Sequence, residues 1–302
     1  MIRKYCINKF NIATACLILI CILSITPYNK LNKNIDVEIS ESNSVIYLVD
    51  KDDYVSKLSI FIDKNDIKDI IKEKLIILRD GSVEYANFKT IIPKDTIINK
   101  IEVKEDNVYI DFSKELKENT DYENMIEAIV YSLTEINGIN NIYITIENKD
   151  INEIYSNYTN PLTRKIGINK EYDINNLKDI TMTTVFFVKE IDDNKYYVPV
   201  TKINNSSEEK ISIIINELKS SIYSVNNLES YISNELLLDN FNKAEDTMNL
   251  VFNDYIFESI GSNIILEEVK YTIGQSIVEN YGVKEVIFST KDNTNITSYV
   301  SN

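Results

Sequence analysis

The 302-residue sequence contains no histidine, and it contains no cysteine after residue 30. Without histidine, the chain lacks the commonest general base near neutral pH, the commonest metal ligand and every Ser–His or Cys–His nucleophile. Its three cysteines, Cys6, Cys16 and Cys21, lie within or before the first apolar segment, so the rest of the chain has no disulfide and no thiolate metal site. We therefore expect a non-enzymatic protein without a cofactor or metal, whose body is held together by packing.

Positive charge is also scarce, because 32 Lys and Arg residues face 47 Asp and Glu residues and leave a net charge of −15. A protein this acidic repels the phosphate backbone, so we expect no nucleic-acid partner. The hydrophobic content of 44% is that of a globular protein. The chain is long enough for about two average domains, each with its own core.

Residues 1–30 have the pattern of a membrane anchor or signal segment. Three basic residues, Arg3, Lys4 and Lys9, precede the apolar run "NIATACLILICILSITPY", and the chain becomes polar after it. A basic region followed by an apolar one directs a chain to the membrane. A buried core helix would instead need charges along one face, and the apolar run has none.

Residues near the end of the apolar run bear on whether the segment is cleaved. A site at Ser24 and Thr26 would leave Pro27 at the first mature position, which signal peptidase generally rejects, and no cysteine has the surroundings of a lipobox. We therefore predict an uncleaved anchor over Phe10–Tyr28, with a single crossing and the C-terminal part extracytoplasmic. A cleaved signal would instead give a secreted protein.

The first exported half predicts the order strand, strand, helix, strand, strand, helix, strand. Apolar and polar residues alternate in the predicted strands, and turn residues separate the strands of each pair. Apolar residues at helical spacing form two helices; the first is capped by Asn65 or Asp66 and ends at Gly81, and the second ends at Asn137–Gly138. The predicted strands are 44–50, 54–63, 96–103, 107–112 and 141–147.

The same order recurs in the second half of the chain. "TTVFFVKEI" and "KYYVPVTKI" form a strand pair, "ELLLDNF" and "MNLVFND" stand where the first hairpin stood, and "YGVKEVIFST" is the last strand. One helical stripe runs over 211–222 behind the capping candidates Ser206 and Ser207, and another runs over 266–277. Two copies of one fold account for this order better than one large domain.

We therefore predict an α+β protein with two tandem domains, each a small sheet with two helices packed on one face, after the N-terminal membrane segment. The first domain spans 38–150 and the second spans 180–294. Residues 151–179 between them are polar and contain Pro161. We expect this inter-domain segment to pack along one of the repeats instead of forming a free tether.

Asp111, Ser113 and Glu115 in "NVYIDFSKELKEN" are close enough in sequence to form a reacting group. No histidine or cysteine is available to help raise a carboxyl pKa or deprotonate the hydroxyl. The period-two pattern explains the stretch as a strand, with every second residue facing the core, Asp111 facing out, and Ser113 capping the following turn. We therefore predict a structural role for all three residues and no catalytic residue in the chain.

Two other residue patterns carry weaker signals. The acidic runs at 50–53 and 63–66 lack the glycine and the distant glutamate of a calcium loop, so we interpret them as solvated turns, with weak calcium binding as the alternative. Tyr47 and the pair Tyr196–Tyr197 suit half-buried strand faces. A sugar-stacking platform is the alternative for these tyrosines.

Several segments resemble the GerM domain of sporulation and germination proteins. The family pattern has a Leu-Pro-x-Gly-Thr element, a hairpin ending in Val-Asp-Phe-Ser-x-Glu-Phe, a helix with Leu-Thr-Glu and a Gly-Val-x-x-Val strand. The matching positions are Ile92–Thr96, Ile110–Leu116, Leu133–Glu135 and Gly138–Ile142. "NPLTRKIGIN" (160–169) resembles the segment after the first domain of two-domain members, whereas the second repeat has "VFN" (251–253) in place of Asp-Phe-Ser.

The resemblance implies a ring-building type of α+β domain, used in the family to assemble an extracytoplasmic ring between the two membranes around a developing spore. Known members with two such domains are lipoproteins. The resemblance favours a membrane-anchored structural component that associates with itself or with envelope and sporulation-complex proteins. The alternative is an extracytoplasmic binding module for a cell-wall glycan or small ligand, with the cleft between the domains as its site.

Overall fold

The structure is a computed structural model that describes residues 43–82, 85–220, 226–259, 262–292 and 296–301. The predicted anchor over Phe10–Tyr28 and Ile222 at the end of the third helical stripe lie outside these residues. None of the helices in the described ranges is both long enough and apolar enough to cross a bilayer. All described residues belong to one compact unit, Ser42–Asn302.

The first half follows the predicted order of elements, with two short strands in addition. Helix α1 starts as predicted, because the Asp66 carboxylate accepts hydrogen bonds from the backbone N–H of Lys68 and Asp69. It ends at Gly81, whose φ of 75° favours glycine. The elements are β1 (Asn43–Asp50), β2 (Val55–Phe61), α1 (Ile67–Asp80), β3 (Phe88–Lys89), β4 (Ile98–Lys104), β5 (Asn107–Phe112), α2 (Tyr122–Thr134), β6 (Asn141–Ile146) and β7 (Lys149–Asp150).

The second half repeats this order after a strand in the inter-domain segment. Its first helix departs from the prediction at its start, because Glu209 occupies the N-cap position and makes no side-chain cap bond. The Ser206 hydroxyl instead accepts from Glu208 N in the preceding turn, so the capping prediction for Ser206 and Ser207 was wrong. The elements are β8 (Glu171–Asp173), β9 (Thr181–Ile191), β10 (Asn194–Asn204), α3 (Lys210–Lys219), β11 (Leu228–Glu229), β12 (Leu238–Ala244), β13 (Thr247–Phe252), α4 (Glu267–Tyr281), β14 (Glu285–Thr290) and β15 (Thr297–Val300).

Each half contributes to two sheets, which differs from the expected single small sheet. The hairpins build two four-stranded sheets of the same design, ordered β4-β5-β6-β7 and β12-β13-β14-β15, each with one central parallel pair. The other strands of both halves form one seven-stranded sheet ordered β11-β9-β10-β2-β1-β3, with β8 paired to β10. Strands β2 and β10 join the two halves through the residue pair Lys57 and Tyr197.

Two separate hydrophobic cores lie within this architecture. One is built from buried residues between Ile46 and Ile168, and the other from buried residues between Val185 and Phe288. Burial of these apolar side chains is the main favourable term that holds each half together. The halves are therefore two repeats with their own interiors that share a sheet.

A matched pair of hydrogen bonds shows that the two repeats are structurally equivalent. In the first repeat, Tyr47 N of β1 donates to Ser132 Oγ of α2 over 2.8 Å. In the second, Phe186 N of β9 donates to Ser276 Oγ of α4 over 2.9 Å. Helices α2 and α4 are therefore anchored to equivalent strands by the same residue type.

Candidate functional site

Asp111 joins three segments of the first four-stranded sheet. Its carboxylate accepts hydrogen bonds from Asn99 Nδ2 (2.9 Å), Thr145 Oγ1 (2.6 Å) and Asn148 N (2.8 Å). The side chain is only 6% exposed, so the prediction that it faces out was wrong. A register shift in β4 between Ile98 and Lys100 accompanies the contact from Asn99. Burial raises the pKa of Asp111, but the three hydrogen bonds outweigh burial and lower it.

Ser113 fastens the start of β4 to the end of β5. Its Oγ accepts from Ile97 N over 2.9 Å, and its own N–H donates to Ile97 O over 2.9 Å. The residue does precede the 3₁₀ turn Lys114–Glu118, but its side chain makes no cap bond, so the predicted capping role was wrong. A hydrogen bond from Ser113 lowers the pKa of Glu115. Asp111 and Ser113 thus hold one end of the sheet together, and Glu115 follows them in the 3₁₀ turn.

The second repeat reproduces the Ser113 contact with a different residue. Asn253 Oδ1 accepts from Leu237 N and Asn253 N donates to Leu237 O, both over 3.0 Å. Leu237 is 57% exposed and Ile97 of the first repeat is 61% exposed. Both repeats therefore present an exposed apolar side chain at the same point, where the chain enters its edge strand.

Arg164, from the segment between the repeats, links the ends of the two equivalent helices. Its Nε donates to Glu279 Oε1 of α4 over 2.8 Å, and its Nη1 donates to Glu135 Oε1 beside α2 over 3.2 Å. Its Nη2 donates to the hydroxyl of Tyr47 over 3.0 Å, and the guanidinium carbon lies 4.4 Å from the centre of the Tyr131 ring. Negative charge near a helix C-terminus is unfavourable, and this arginine compensates it in both repeats.

The surroundings of Glu135 keep it ionised. Burial raises its pKa, but Lys57, Arg164 and the hydroxyl of Tyr47 together lower it to about 2. Lys57 Nζ lies 3.4 Å from Glu135 Oε1, and the Tyr47 hydroxyl donates to the same oxygen over 2.8 Å. Burial raises the pKa of Tyr47, so its hydroxyl stays protonated as a donor. The charges at this junction are mutually compensated.

A second ion pair crosses the shared sheet deep in the molecule. Lys189 Nζ of β9 lies 2.7 Å from Asp50 Oδ2 at the end of β1, and both side chains are essentially inaccessible to solvent. It also lies 2.8 Å from Asp52 Oδ2. Burial lowers the pKa of Lys189, but its hydrogen bonds to Asp50 and Asp52 outweigh burial and raise it. Two residues of the 50–53 run are therefore committed to an ion pair between the repeats.

The segment after Arg164 packs along both repeats, whereas we expected it to pack along one. The Asn169 side chain bonds the backbone of Val55 in β2 and the carbonyl of Pro199 in β10. The Asn169 N–H donates to Glu127 of α2, which is also paired with Lys170. This segment fills the gap where β2 and β10 separate on one side of their junction.

A cleft of about 730 Å³ opens on the other side of that junction. Its lining includes Lys57, Ser59, Lys64, Lys195, Tyr271 and Gln275. The rings of Tyr197 and Tyr271 stack with centroids 3.5 Å apart, and Tyr299 meets Tyr271 edge-on. A side-chain carbon at Gly274 would overlap the Tyr299 ring, so this glycine in the middle of α4 admits the aromatic ring.

The acidic runs at 50–53 and 63–66 contribute residues to an ion pair and to a helix cap. In the described residues, no group of three or more His, Cys, Asp or Glu residues is arranged to hold a metal ion. In the 63–66 run, Asp66 caps α1. Of the tyrosines singled out in the sequence, Tyr47 lies in the Arg164 cluster, whereas Tyr196 and Tyr197 both line the cleft. Tyr197 stacks with Tyr271, and Tyr196 meets Phe88 edge-on.

The residues that join the repeats were not predicted from the sequence. Arg164, Glu279, Lys189 and Asp50 are far apart in sequence, and no local pattern pairs them. The available signals were a lysine inside the otherwise apolar strand "TTVFFVKEI" and an arginine in the segment "NPLTRKIGIN". A buried charge is costly unless it is paired, so each of these residues is expected to have an acidic partner. The sequence does not indicate which acidic residue that partner is.

The fold and its junction define a protein of two equivalent α+β repeats joined into one unit by buried polar contacts. The family model described as "Sporulation and spore germination" matches residues 45–152. The chain is 31% identical over 256 residues to the spore germination protein GerM of Bacillus subtilis, covering 80% of this chain and 69% of that relative. The chain therefore belongs to the GerM family, which confirms the resemblance.

A solved structure supports the same architecture. The tandem GerMN domains of the sporulation protein GerM from Bacillus subtilis superpose on this chain with a TM-score of 0.75 and 27% identity. The superposition covers 84% of this chain and 93% of the solved one. The tandem arrangement of two related domains is thus shared with that protein.

Proposed function

We propose that this protein is a membrane-anchored, extracytoplasmic and non-enzymatic component that helps to assemble an envelope complex during sporulation or spore germination. The observation that carries the proposal is the junction between the repeats. Arg164 and Asn169 each bind groups of both repeats, and Lys189 of the second repeat binds Asp50 of the first. A scaffold must hold its binding surfaces at a fixed spacing, and a junction of paired, largely buried charges resists relative motion of the two repeats.

The exposed apolar positions at the edge strands supply surfaces for such a scaffold. Ile97 and Leu237 occupy equivalent places in the two repeats, so one chain presents the same feature twice. Strands β4 and β12, which follow them, are the edge strands of their sheets. Edge strands and exposed apolar residues are common sites of protein association.

The assembly role is tested by in vivo cross-linking in cells that make the protein. The variant Ile97→Asp/Leu237→Asp should lose cross-linked envelope complexes and retain the far-ultraviolet circular dichroism and melting temperature of the parent. Leu177→Asp is the matched control, since Leu177 is 86% exposed and lies in the inter-domain segment. Complexes of unchanged amount in the double variant would refute the proposed assembly surfaces.

Membrane anchoring is tested separately. The full chain should remain in the membrane fraction after alkaline carbonate washing, and a chain without residues 10–28 should not. A chain released from the membrane at its natural length minus the first 26 residues would show that the segment is a cleaved signal. Neither result depends on the cross-linking experiment.

A further inference from the structure

The outer faces of the equivalent helices α2 and α4 are covered by different parts of the chain. On α2, Glu127 and Tyr131 are covered by the inter-domain segment: Asn169 N and Lys170 bind Glu127, and the Tyr131 hydroxyl donates to Arg164 O over 3.0 Å. Because Ser132 and Ser276 are equivalent, the matching residues of α4 are Tyr271 and Gln275. These two residues lie at the base of the cleft, where the Tyr197 ring stacks on Tyr271 and the Tyr299 hydroxyl donates to Gln275 Oε1.

The covering segment also adds a strand to the edge of β10. Thr201 N donates to Ile168 O over 2.8 Å, and β8 then runs parallel to β10 with Glu171 opposite Lys202. The segment is thus an extended chain that lies between a helix and a strand edge. This geometry is that of β-strand addition, in which main-chain hydrogen bonds supply affinity.

The equivalent edge in the first repeat belongs to β2. Tyr47 lies opposite Lys57 and Phe186 lies opposite Pro199, so Lys57 corresponds to Pro199 and Ser59 corresponds to Thr201. Strand β2 pairs with β10 at Lys57, and beyond that point no strand of the described residues lies on its cleft side. One side chain occupies this edge, because the Tyr85 hydroxyl donates to Ser59 O over 2.6 Å. The cleft is therefore the counterpart of the position that residues Ile168–Asp173 fill on the other side.

The charge of the cleft indicates the character of its occupant. Among the residues that line it, Lys57, Lys64 and Lys195 are basic and Glu135 is acidic. Lys57 is paired with Glu135 and Lys195 is paired with Glu268, so the remaining positive charge of the lining is that of Lys64. Alternate side chains of an added strand point to opposite sides. One set would meet Lys64, and the other would meet the aromatic rings of the cleft.

We propose that this cleft binds an extended, acidic segment of a partner protein, which displaces the Tyr85 hydroxyl, adds as a parallel strand along Ser59–Phe61 of β2 and packs against the rings of Tyr197 and Tyr299. Phe61 is 60% exposed and would be covered by the added segment. The proposal goes beyond the assembly role above, because it uses none of the residues tested there. Failure of the peptide-binding test would therefore leave the assembly role intact, and failure of the cross-linking test would leave the peptide-binding proposal intact.

Two labelled eleven-residue peptides test the proposal by fluorescence anisotropy with the soluble fragment 38–302, which contains both cores and every contact described above. One peptide has the sequence of residues 163–173, which lies on β10 in the structure. The other carries Arg164→Glu, Lys165→Glu and Lys170→Glu in the same sequence. The acidic peptide should bind at least about fivefold more tightly at low salt, and the difference should shrink at high salt.

Variants of the protein locate the binding site. Lys64→Glu should weaken binding of the acidic peptide by about fivefold, while Lys114→Glu, an equal change of charge on an exposed residue away from the cleft, should not. Ser59→Trp should abolish binding by filling the cleft, and the folded state of each variant is checked by its melting temperature. The amide of Phe61 should gain protection from hydrogen exchange in the complex.

Several outcomes would overturn the proposal. They are the absence of binding by both peptides, equal effects of Lys64→Glu and Lys114→Glu, and unchanged exchange at Phe61. Displacement of the acidic peptide by purified peptidoglycan fragments, with Ser59→Trp blocking both, would show instead that the cleft is a glycan site.

Discussion

Arg164 Nε lies 2.8 Å from Glu279 Oε1, so a residue between the two repeats is bound directly to the second helix of the second repeat. The same guanidinium reaches Glu135, the equivalent glutamate of the first repeat, over 3.2 Å. One arginine therefore neutralises matching charges at the ends of two matching helices. This contact makes the inter-domain segment part of the junction and not a tether.

Removing this arginine should destabilise the protein. Arg164→Met leaves Glu279 without its cation and Glu135 with Lys57 alone, and loss of one partner from a partly buried pair costs about 2–4 kcal/mol. We expect this loss in the free energy of unfolding measured by urea titration of fragment 38–302. Lys284→Met, which removes an exposed ion pair with Asp246, is the control and should leave the midpoint nearly unchanged. Equal midpoints for the two variants would contradict the role assigned to Arg164.

Acid should weaken the junction through Glu135. Its pKa is about 2 in the folded protein and near 4.5 when unfolded, so its contribution is complete above pH 4.5 and is lost as the pH falls towards 2. The difference in unfolding free energy between the parent and Glu135→Gln should therefore shrink by up to about 3 kcal/mol between pH 6 and pH 2.5. Urea titrations of both proteins at each pH measure this difference in unfolding free energy. A difference that does not change with pH would show that Glu135 is not held ionised.

Raising the pH above 8 should stabilise the folded protein through Lys74. This lysine is 1% exposed and donates to Val45 O and Ser132 O, and burial lowers its pKa to about 8 from 10.5. Since the unfolded chain holds the proton up to a higher pH, stability from this group rises between pH 8 and 10.5. The parent should gain roughly 2–3 kcal/mol relative to Lys74→Met from pH 7.5 to pH 10. Parallel pH dependences of the two proteins would refute the lowered pKa.

Asp111 should matter for stability and not for a reaction. Asp111→Asn replaces a carboxylate that accepts three hydrogen bonds, and an amide oxygen cannot satisfy all three donors as well, so we expect a loss of about 1–3 kcal/mol. Asp95→Asn, at an exposed position just before β4, is the control and should unfold at the parent's urea concentration. Loss of a measurable reaction from a folded Asp111→Asn variant would restore the catalytic interpretation.

Local signals sufficed for most helices and strands. Helix α1 was predictable from end to end because the Asp66 cap, the apolar spacing and Gly81 all lie within the segment itself. The start of α3 was predicted wrongly, because the Ser206 hydroxyl accepts a hydrogen bond from Glu208 N in the preceding turn and does not cap the helix. The burial of Asp111 was also not predicted, since its partners Asn99 and Asn148 approach it only in the folded sheet.

The candidate site depended on long-range pairing and was correspondingly harder to predict. Nothing near Lys189 indicates that Asp50 will be its partner, because the shared sheet brings them together. The cleft likewise exists because β2 and β10 are joined at one residue pair. The repeat of the element order did predict two copies of one fold, but not the sheet that unites them.

If this chain assembles a complex as proposed, formation of that complex should need the two repeats to be locked together. Cells should make either the parent chain or Arg164→Met/Lys189→Met, and the complexes are then compared by native gel electrophoresis after cross-linking, with circular dichroism of both purified proteins as a check on folding. We predict that the double variant keeps its secondary structure and loses the complexes. Complexes of full size and amount, formed by a variant shown by limited proteolysis to have separated repeats, would contradict the account.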